Sequence, residues 1–339
     1  MMKHLQSLGK VALGTTTALT ASLYTLNQLT PMPGVILSKI LFNQPSKKAY
    51  IKDTVRQDAR FKQIASRVTS LYDVVYDSTE KTGLMDIYMP NGDQETYPTL
   101  FWVHGGGYMS GDKSDVTPYL QLLASEGYTV VNLNYALVPE ARYPEPIYSL
   151  EKAYVAVQKN AQAYKADLSH VAFGGDSAGG QIIGQFINIQ VNDAYRDTTA
   201  FKQTVPPETI KTAIFYSSLL NTQRMDKTDD MMANKLFSRL AWAYFDDKHW
   251  RVSPKTMEAS VTLNMDHHFP PSYITDAKHR SFEDQARQFV ATLEHHDIPV
   301  EGTFYDSPLY HEYQFDMSLY ESKVNYERLV HFLKQHLAK

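Results

Sequence analysis

The chain has 339 residues, with 33 basic and 37 acidic side chains, a net charge of −4, 43% hydrophobic residues and no cysteine. This charge balance creates no field that would attract nucleic acid, and the hydrophobic fraction is too high for a disordered chain. The lack of cysteine excludes disulfides, thiolate metal sites and a cysteine nucleophile.

Residues 1–38 form a separate N-terminal segment, because no charged residue occurs between Val11 and Ser38. A membrane-spanning helix needs about 20 predominantly apolar residues, whereas this stretch is rich in threonine and serine. Pro31 and Pro33 are expected to end any helix within it. Two interpretations stay open: a membrane anchor, which makes the protein membrane-associated, or a cap helix over an active site, which is compatible with a cytoplasmic protein.

Beyond this segment, apolar runs with strand and helix spacing alternate along the chain. Strands are predicted at 70–76, 85–89, 98–103, 128–133, 171–173, 210–220, 273–275 and 300–305. Helices are predicted at 58–70, 120–126, 144–164, 178–191, 281–296 and 319–337. This alternation predicts an α/β protein with a mostly parallel sheet.

The residues Gly175, Asp176, Ser177, Ala178 and Gly179 fit the pattern G-x-S-x-G between a predicted strand and a predicted helix. In a nucleophile elbow the serine occupies a strained turn, and small neighbours are needed because a Cβ would collide there. A glycine-rich turn of this kind is also able to bind a phosphate. Asp176 is expected to orient nearby loops, because neighbouring elbow residues point away from each other.

A second glycine motif decides between these alternatives. His104, Gly105, Gly106 and Gly107 follow the predicted strand 98–103 and match the HGGG loop that supplies backbone N–H groups to an oxyanion. Two such motifs in this order favour acyl transfer over phosphate binding.

From about Leu71 to its C-terminus the chain resembles the hormone-sensitive-lipase-like branch of the α/β-hydrolases. The resemblance rests on both glycine motifs and on the segment 134–140, which is similar to the family's Y-x-L-x-P-E segment. It implies a mostly parallel central sheet with helices on both faces, a catalytic domain over 39–339 and a helical cap inserted at about 221–265. The aromatic residues of this insertion either line an acyl pocket or form the cap's own core.

The same resemblance implies a serine esterase, for which no cofactor is expected. No metal site is predicted either, because no His, Asp and Glu residues have metal-ligand spacing and the pair His267 and His268 alone is a weak signal. The oxyanion hole of the esterase would be formed by Gly106, Gly107 and Ala178, and Glu140 would brace the HGGG loop.

A serine nucleophile needs a base, because a hydroxyl is a poor nucleophile at its own pKa. His311 follows the last predicted strand, where the Ser, acid, His order of this fold places the base. The resembling family has a similar H-x-F context at this point. The competing histidines are His267, His268, His279, His295 and His296.

The acid is the point at which the sequence departs from the family, whose aspartate would fall at Arg280 or His279. Neither residue is able to accept the Nδ1–H of the base as an acid does. Asp276 lies at the carboxyl end of a predicted strand, where site residues of open α/β sheets occur, and is the predicted acid. Glu283 and Asp284 fit the first turn of a helix, where carboxylates complement the helix dipole.

These residues predict a serine carboxylic-ester hydrolase that works through an acyl-enzyme, and the resemblance implies short or medium acyl esters, or acetyl esters, as its substrates. The expected partner is a small-molecule ester. Two alternatives stay open: an amidase or peptidase with the same residues, and a non-catalytic, membrane-tethered binding protein that has lost its acid.

Overall fold

The computed structural model describes residues 29–337, which are organised around one eight-stranded sheet. Its strands are β1 Val68–Val75, β2 Leu84–Pro90, β3 Tyr97–Val103, β4 Thr129–Leu133, β5 Ala166–Asp176, β6 Ile210–Tyr216, β7 Ser272–Asp276 and β8 Val300–Phe304. The spatial order is β1-β2-β4-β3-β5-β6-β7-β8. The β1/β2 and β2/β4 pairs are antiparallel and the other five pairs are parallel, which confirms the predicted sheet.

Helices connect the strands and cover the sheet. They are α1 Met32–Phe42, α2 Pro45–Arg56, α3 Ile64–Arg67, α4 Thr117–Ser125, α5 Glu145–Lys159, α6 Ala178–Val191, α7 Asp193–Arg196, α8 Met231–Phe245, α9 Pro254–Glu258, α10 Val261–Asn264, α11 Glu283–His295 and α12 Tyr320–His336. Short 3₁₀ helices span Ala59–Gln63, Lys113–Asp115, Pro207–Thr209, Thr222–Arg224, Trp250–Val252 and Tyr313–Phe315.

Successive residues of a strand point to opposite faces of the sheet, and in the central strands β3 and β4 the residues on both faces are buried. On one face Phe101 stacks on Phe173, which contacts Phe186 of α6. On the other face Trp102 packs edge-on against Tyr216, in the core shared with α4 and α12. The predicted layer of helices on each face is therefore confirmed.

Several predicted elements have different bounds. The helix predicted over 58–70 is reduced to a 3₁₀ turn and α3, because β1 begins at Val68. Pro31 and Pro33 lie at the start of α1, where the missing N–H of a proline is not needed, and the last helical residue before them is Leu29. The helix predicted over 281–296 begins at Glu283, which leaves Ser281 outside it.

The anchor interpretation concerns residues that lie mostly outside the described part of the chain, because 1–28 and 338–339 are not described. Within residues 29–337, no helix has both the length and the apolar character required to cross a bilayer. The predicted cap, 221–265, contains α8, α9 and α10 and no strand. Its helix α8 packs against α1, where Gly34 lies beside the Arg239 side chain.

Candidate active site

Ser177 lies in the sharp turn between β5 and α6. Its φ of 51° and ψ of −116° are unfavourable for a residue with a side chain. The turn is held by the Ser177 N–H, which donates to the Tyr216 carbonyl at 2.8 Å. It also needs Gly179, because a Cβ there would overlap the Val103 carbonyl of β3. Because this turn directly follows β5, the Ser177 hydroxyl lies at the carboxyl edge of the sheet.

His311 lies in the histidine loop, residues 305–312, which follows β8. Its Nε2 is 3.0 Å from the Ser177 Oγ. The end of the loop is held by a hydrogen bond, which the Glu312 N–H donates to the Ser217 Oγ at 3.1 Å. Burial lowers the pKa of His311, so the neutral imidazole, which accepts protons, is favoured.

The other imidazole nitrogen meets a hydroxyl and not a carboxylate. The Ser281 Oγ lies 2.7 Å from the His311 Nδ1, and it also hydrogen-bonds to the Asp276 Oδ1. Asp276 was expected to contact the imidazole directly, and this expectation is wrong. The Ser281 side chain occupies the space between the two groups, and Asp276 reaches His311 only through it.

Sequence reasoning missed Ser281, although the residue lies next to the expected family acid position. Arg280 and His279 bind elsewhere: the Arg280 Nε donates to Asp230 at 2.8 Å, and the His279 Nδ1 lies 3.0 Å from Asp229. The signal that was available is a small polar residue directly before a helix and five residues after Asp276.

Asp276 is buried, with an exposed fraction of 1%. Its Oδ1 also accepts the Ala277 N–H at 2.7 Å, while its Oδ2 has no hydrogen-bond partner within residues 29–337. Burial raises the pKa of Asp276 to about 8. An ionised Asp276 therefore lowers the stability of the folded protein, because a buried carboxylate loses its hydration.

The two other acidic candidates belong to the first turn of α11. Glu283 forms an ion pair with Arg287 at 2.6 Å, and Asp284 pairs with Arg224. Their contacts agree with the helix-terminus interpretation.

The glycine loop 104–107 faces Ser177 and is braced by Asp176. The Gly105 N–H donates to the Asp176 Oδ2 at 2.6 Å, and the Trp102 Nε1–H donates to its Oδ1 at 2.9 Å. Asp176 thus orients a neighbouring loop, as expected. Burial and the nearby Glu312 raise the pKa of Asp176 well above its usual range.

Gly106 and Gly107 line the same pocket as Ser177, and Ala178 directly follows Ser177 in the chain. Gly106 and Gly107 have positive φ values of 110° and 62°, and neither N–H donates to another residue within 29–337. Ala178 is the first residue of α6, so its N–H has no acceptor within the helix. The oxyanion hole of Gly106, Gly107 and Ala178 stays a prediction.

Glu140 does not brace the glycine loop, and this expectation is corrected. Its side chain is exposed, and the loop is braced by earlier residues of the same segment. The Tyr135 ring stacks on His104 at 4.6 Å, and the Val138 N–H donates to the Tyr108 carbonyl at 2.8 Å. Backbone and aromatic contacts therefore take the role expected of a carboxylate.

A pocket of about 200 Å³ opens in front of Ser177. Its apolar wall includes Leu41 and Phe42 of α1 and Phe237 of α8, and Glu312 lies on its polar side. The competing His267 and His268 are exposed beside Asp266, and neither lines the pocket. Because these three residues bring ligand atoms within 4.8 Å of one another, they form a candidate metal-binding group.

Comparisons with known proteins place this site in a family. A model of the BD-FAE family matches residues 85–280, more than half of the chain. The chain belongs to the BD-FAE family. The versiconal hemiacetal acetate esterase of Dothistroma septosporum is 26% identical to it over 254 residues, which cover 72% of this chain and 75% of that enzyme.

Solved structures share the fold. Esterase B of Lactobacillus rhamnosis, inhibited by a C6-C4 SN3 compound, has a TM-score of 0.72 at 17% identity and covers 88% of this chain and 96% of its own. An esterase of the bacterial hormone-sensitive lipase family has a TM-score of 0.61 at 20% identity, with 90% and 98% covered. The predicted α/β-hydrolase fold is confirmed, and the chain is a carboxylesterase-like hydrolase.

Proposed function

We propose that this protein is a serine carboxylic-ester hydrolase that works through an acyl-enzyme. The observation that carries this proposal is the 3.0 Å contact between the Ser177 Oγ and the His311 Nε2, where Ser177 lies on a strained turn and lines the same pocket as Gly106 and Gly107. A nucleophile, its base and an anion-binding pocket are the parts that acyl transfer needs.

In the first step, the Ser177 Oγ attacks the ester carbonyl carbon while its proton passes to the His311 Nε2. The negative charge that develops on the carbonyl oxygen is stabilised by the N–H groups of Gly106, Gly107 and Ala178. His311 then gives its proton to the leaving alcohol. Water, activated by the same imidazole, releases the acid and restores Ser177. The charge of Asp276 supports the imidazolium from the far side of Ser281.

Short or medium acyl esters are the proposed substrates. The pocket of about 200 Å³ is smaller than the ~300–1,000 Å³ typical of drug-sized ligands. A relative named for an acetate ester supports a short acyl group, and ester over amide cleavage. We further propose that residues 39–339 form the catalytic domain and that 221–265 form a cap whose helix α8 supplies part of the pocket wall.

The proposal is tested with nitrophenyl acetate, butyrate and octanoate beside an aminoacyl anilide. We expect rapid hydrolysis of the shorter esters and little release from the anilide, whereas an amidase would favour the anilide. A fluorescent organophosphonate should label the wild-type protein with one equivalent on Ser177. Ser177→Ala should lose both labelling and turnover, by about 10³-fold or more.

A non-catalytic binding protein would give the opposite result. Intact, folded protein that neither hydrolyses these esters nor reacts with the phosphonate would contradict the proposal.

A further inference from the structure

The Ser281 hydroxyl lies between two functional groups and has no other hydrogen-bond partner within residues 29–337. Its Oγ contacts the His311 Nδ1 at 2.7 Å and the Asp276 Oδ1. We propose that Ser281 is a positioning residue that transmits the charge of Asp276 to His311 and fixes the tautomer of the imidazole. This role rests on the proposed esterase function, and it replaces a direct acid–base contact by a Ser177–His311–Ser281–Asp276 chain.

Counting donors and acceptors shows how the chain fixes the tautomer. A hydroxyl has one proton, and the Asp276 carboxylate only accepts once it is ionised, so in that state the Ser281 proton is directed at Asp276. The Ser281 oxygen then presents only lone pairs to the His311 Nδ1. The imidazole must therefore carry its proton on Nδ1, which leaves the Nε2 lone pair facing Ser177.

The hydrogen bonds of the Ser177–His311–Ser281–Asp276 chain remain compatible with one another when Ser177 attacks the ester. The Ser177 proton moves to the His311 Nε2, so the ring becomes an imidazolium with an N–H on both nitrogens. Its Nδ1–H continues to donate to Ser281, and the Ser281 O–H continues to donate to Asp276. No proton leaves Ser281, and Asp276 keeps its negative charge, which stabilises the cation one hydroxyl away.

A purely structural role for Ser281 fits the contacts less well. A serine just before a helix commonly caps the helix by accepting a backbone N–H. Here the start of α11 has no side-chain cap, and the Ser281 hydroxyl is turned toward His311 and Asp276.

The first test is the kinetics of Ser281→Ala and of the size-matched Ser281→Cys on nitrophenyl acetate. We expect kcat to fall by about 10²-fold in both, with KM changed less than about threefold, because the lost interaction acts mainly in the transition state. Ser281→Thr, which keeps the hydroxyl, should retain more activity than either. The control Ser272→Ala removes a buried hydroxyl that bonds the Pro270 carbonyl, and it should leave kcat unchanged.

The second test is a double-mutant cycle with Asp276→Asn. The two residues act as one unit in the proposed chain, so the double variant Ser281→Ala/Asp276→Asn should be no slower than the slower single variant. Ser281→Asp combined with Asp276→Asn places a carboxylate directly against the imidazole. The kcat of this variant should be at least tenfold higher than that of Ser281→Ala.

The third test is the pH profile, because the chain needs Asp276 ionised. The ionisable groups beside Asp276 are Glu283 of α11, whose charge disfavours ionisation, and His311 and Tyr313 after β8. Wild-type kcat/KM should rise as the pH passes about 8, where Asp276 ionises. Asp276→Asn should lack that rise.

The outcomes separate the two proposals. The role of Ser281 would be overturned if Ser281→Ala or Ser281→Cys kept the wild-type kcat and pH profile. It would also be overturned if the kcat losses of the two single variants multiplied in the double variant. Phosphonate labelling of wild-type Ser177 would still support the esterase in that case. A wild-type protein that shows neither phosphonate labelling nor ester turnover would instead contradict the esterase proposal itself.

Discussion

Gly106 combines an unusual backbone with a position at the centre of the proposed oxyanion hole. Its φ is 110°, and an added Cβ would overlap the Ser110 carbonyl. We predict that Gly106→Ala lowers kcat on nitrophenyl acetate by about 10²-fold or more, because the loop must shift its N–H groups away from the oxyanion. Steady-state kinetics beside phosphonate labelling measures this loss.

The control is Gly127→Ala, which has nearly the same φ of 105° but open space around its Cβ. It should lower the free energy of unfolding by about 1 kcal/mol and leave kcat unchanged. Equal kcat losses in both variants would show that backbone strain, not the geometry of the oxyanion hole, is responsible.

Asp276 should make stability depend on pH in a defined direction. Its pKa is raised from 3.8 to about 8 by burial, so between these values the folded protein holds a proton that the unfolded chain releases. This stabilising contribution is complete below 3.8 and is lost as the pH rises through about 8. We predict that Asp276→Asn gains Tm relative to wild type as the pH rises from about 4 to about 8, and that the difference then levels off.

Thermal unfolding of both proteins across this pH range provides the measurement. The exposed Asp93→Asn serves as the control and should give no such trend. A constant Tm difference between Asp276→Asn and wild type would contradict the prediction. Loss of activity with a gain in Tm would indicate that Asp276 is kept for catalysis at the expense of stability.

At the scale of elements, α1 contributes an apolar wall beside the glycine loop. The Phe42 ring lies 3.4 Å from the position that a Cβ on Gly107 would take, and both residues line the pocket. We predict that Phe42→Ala raises KM for nitrophenyl butyrate by about three- to tenfold and for the acetate by less, because each buried methylene contributes about 0.8 kcal/mol.

Leu37→Ala, on the exposed side of the same helix, is the matched control for Phe42→Ala. Leu37 is 51% exposed, so its loss should leave both KM values unchanged. If Phe42→Ala changed KM equally for the two substrates, α1 would support the glycine loop and not the acyl pocket.

At the scale of the whole molecule, Lys113 joins the segment after the glycine loop to the antiparallel edge of the sheet. Its Nζ lies 2.7 Å from both Asp73 and Asp86, and Lys113 and Asp86 are buried. We predict that Lys113→Met lowers the free energy of unfolding by about 3–5 kcal/mol, because it leaves the Asp86 carboxylate buried without its cation. Urea titration measures this change.

Lys152→Met removes an ion pair at 2.6 Å between Asp77 and a lysine whose side chain is 49% exposed. Solvent screening makes such a pair contribute less than about 1 kcal/mol. A loss of similar size in both variants would show that burial does not distinguish the two pairs.

Much of the architecture was predictable because its signals are local. The apolar runs predicted all eight strands, and the bounds of α6, Ala178–Val191, agree with the prediction. The two glycine motifs also mark turns that only small residues can form, so Ser177 and Gly106 were recognisable without coordinates. Prolines were harder to interpret, since Pro31 and Pro33 are compatible with either end of a helix.

The sequence by itself determined the nucleophile turn, the glycine loop and the positions of the strands along the chain, because each depends on neighbouring residues. Only the tertiary structure decided which side chain meets the His311 Nδ1. Ser281 and His311 are 30 positions apart and are brought together by the parallel pairing of β7 and β8. Tyr135 replaced Glu140 as a brace for the same reason: contacts between distant segments depend on how side chains pack in three dimensions, and spacing along the chain does not specify that packing.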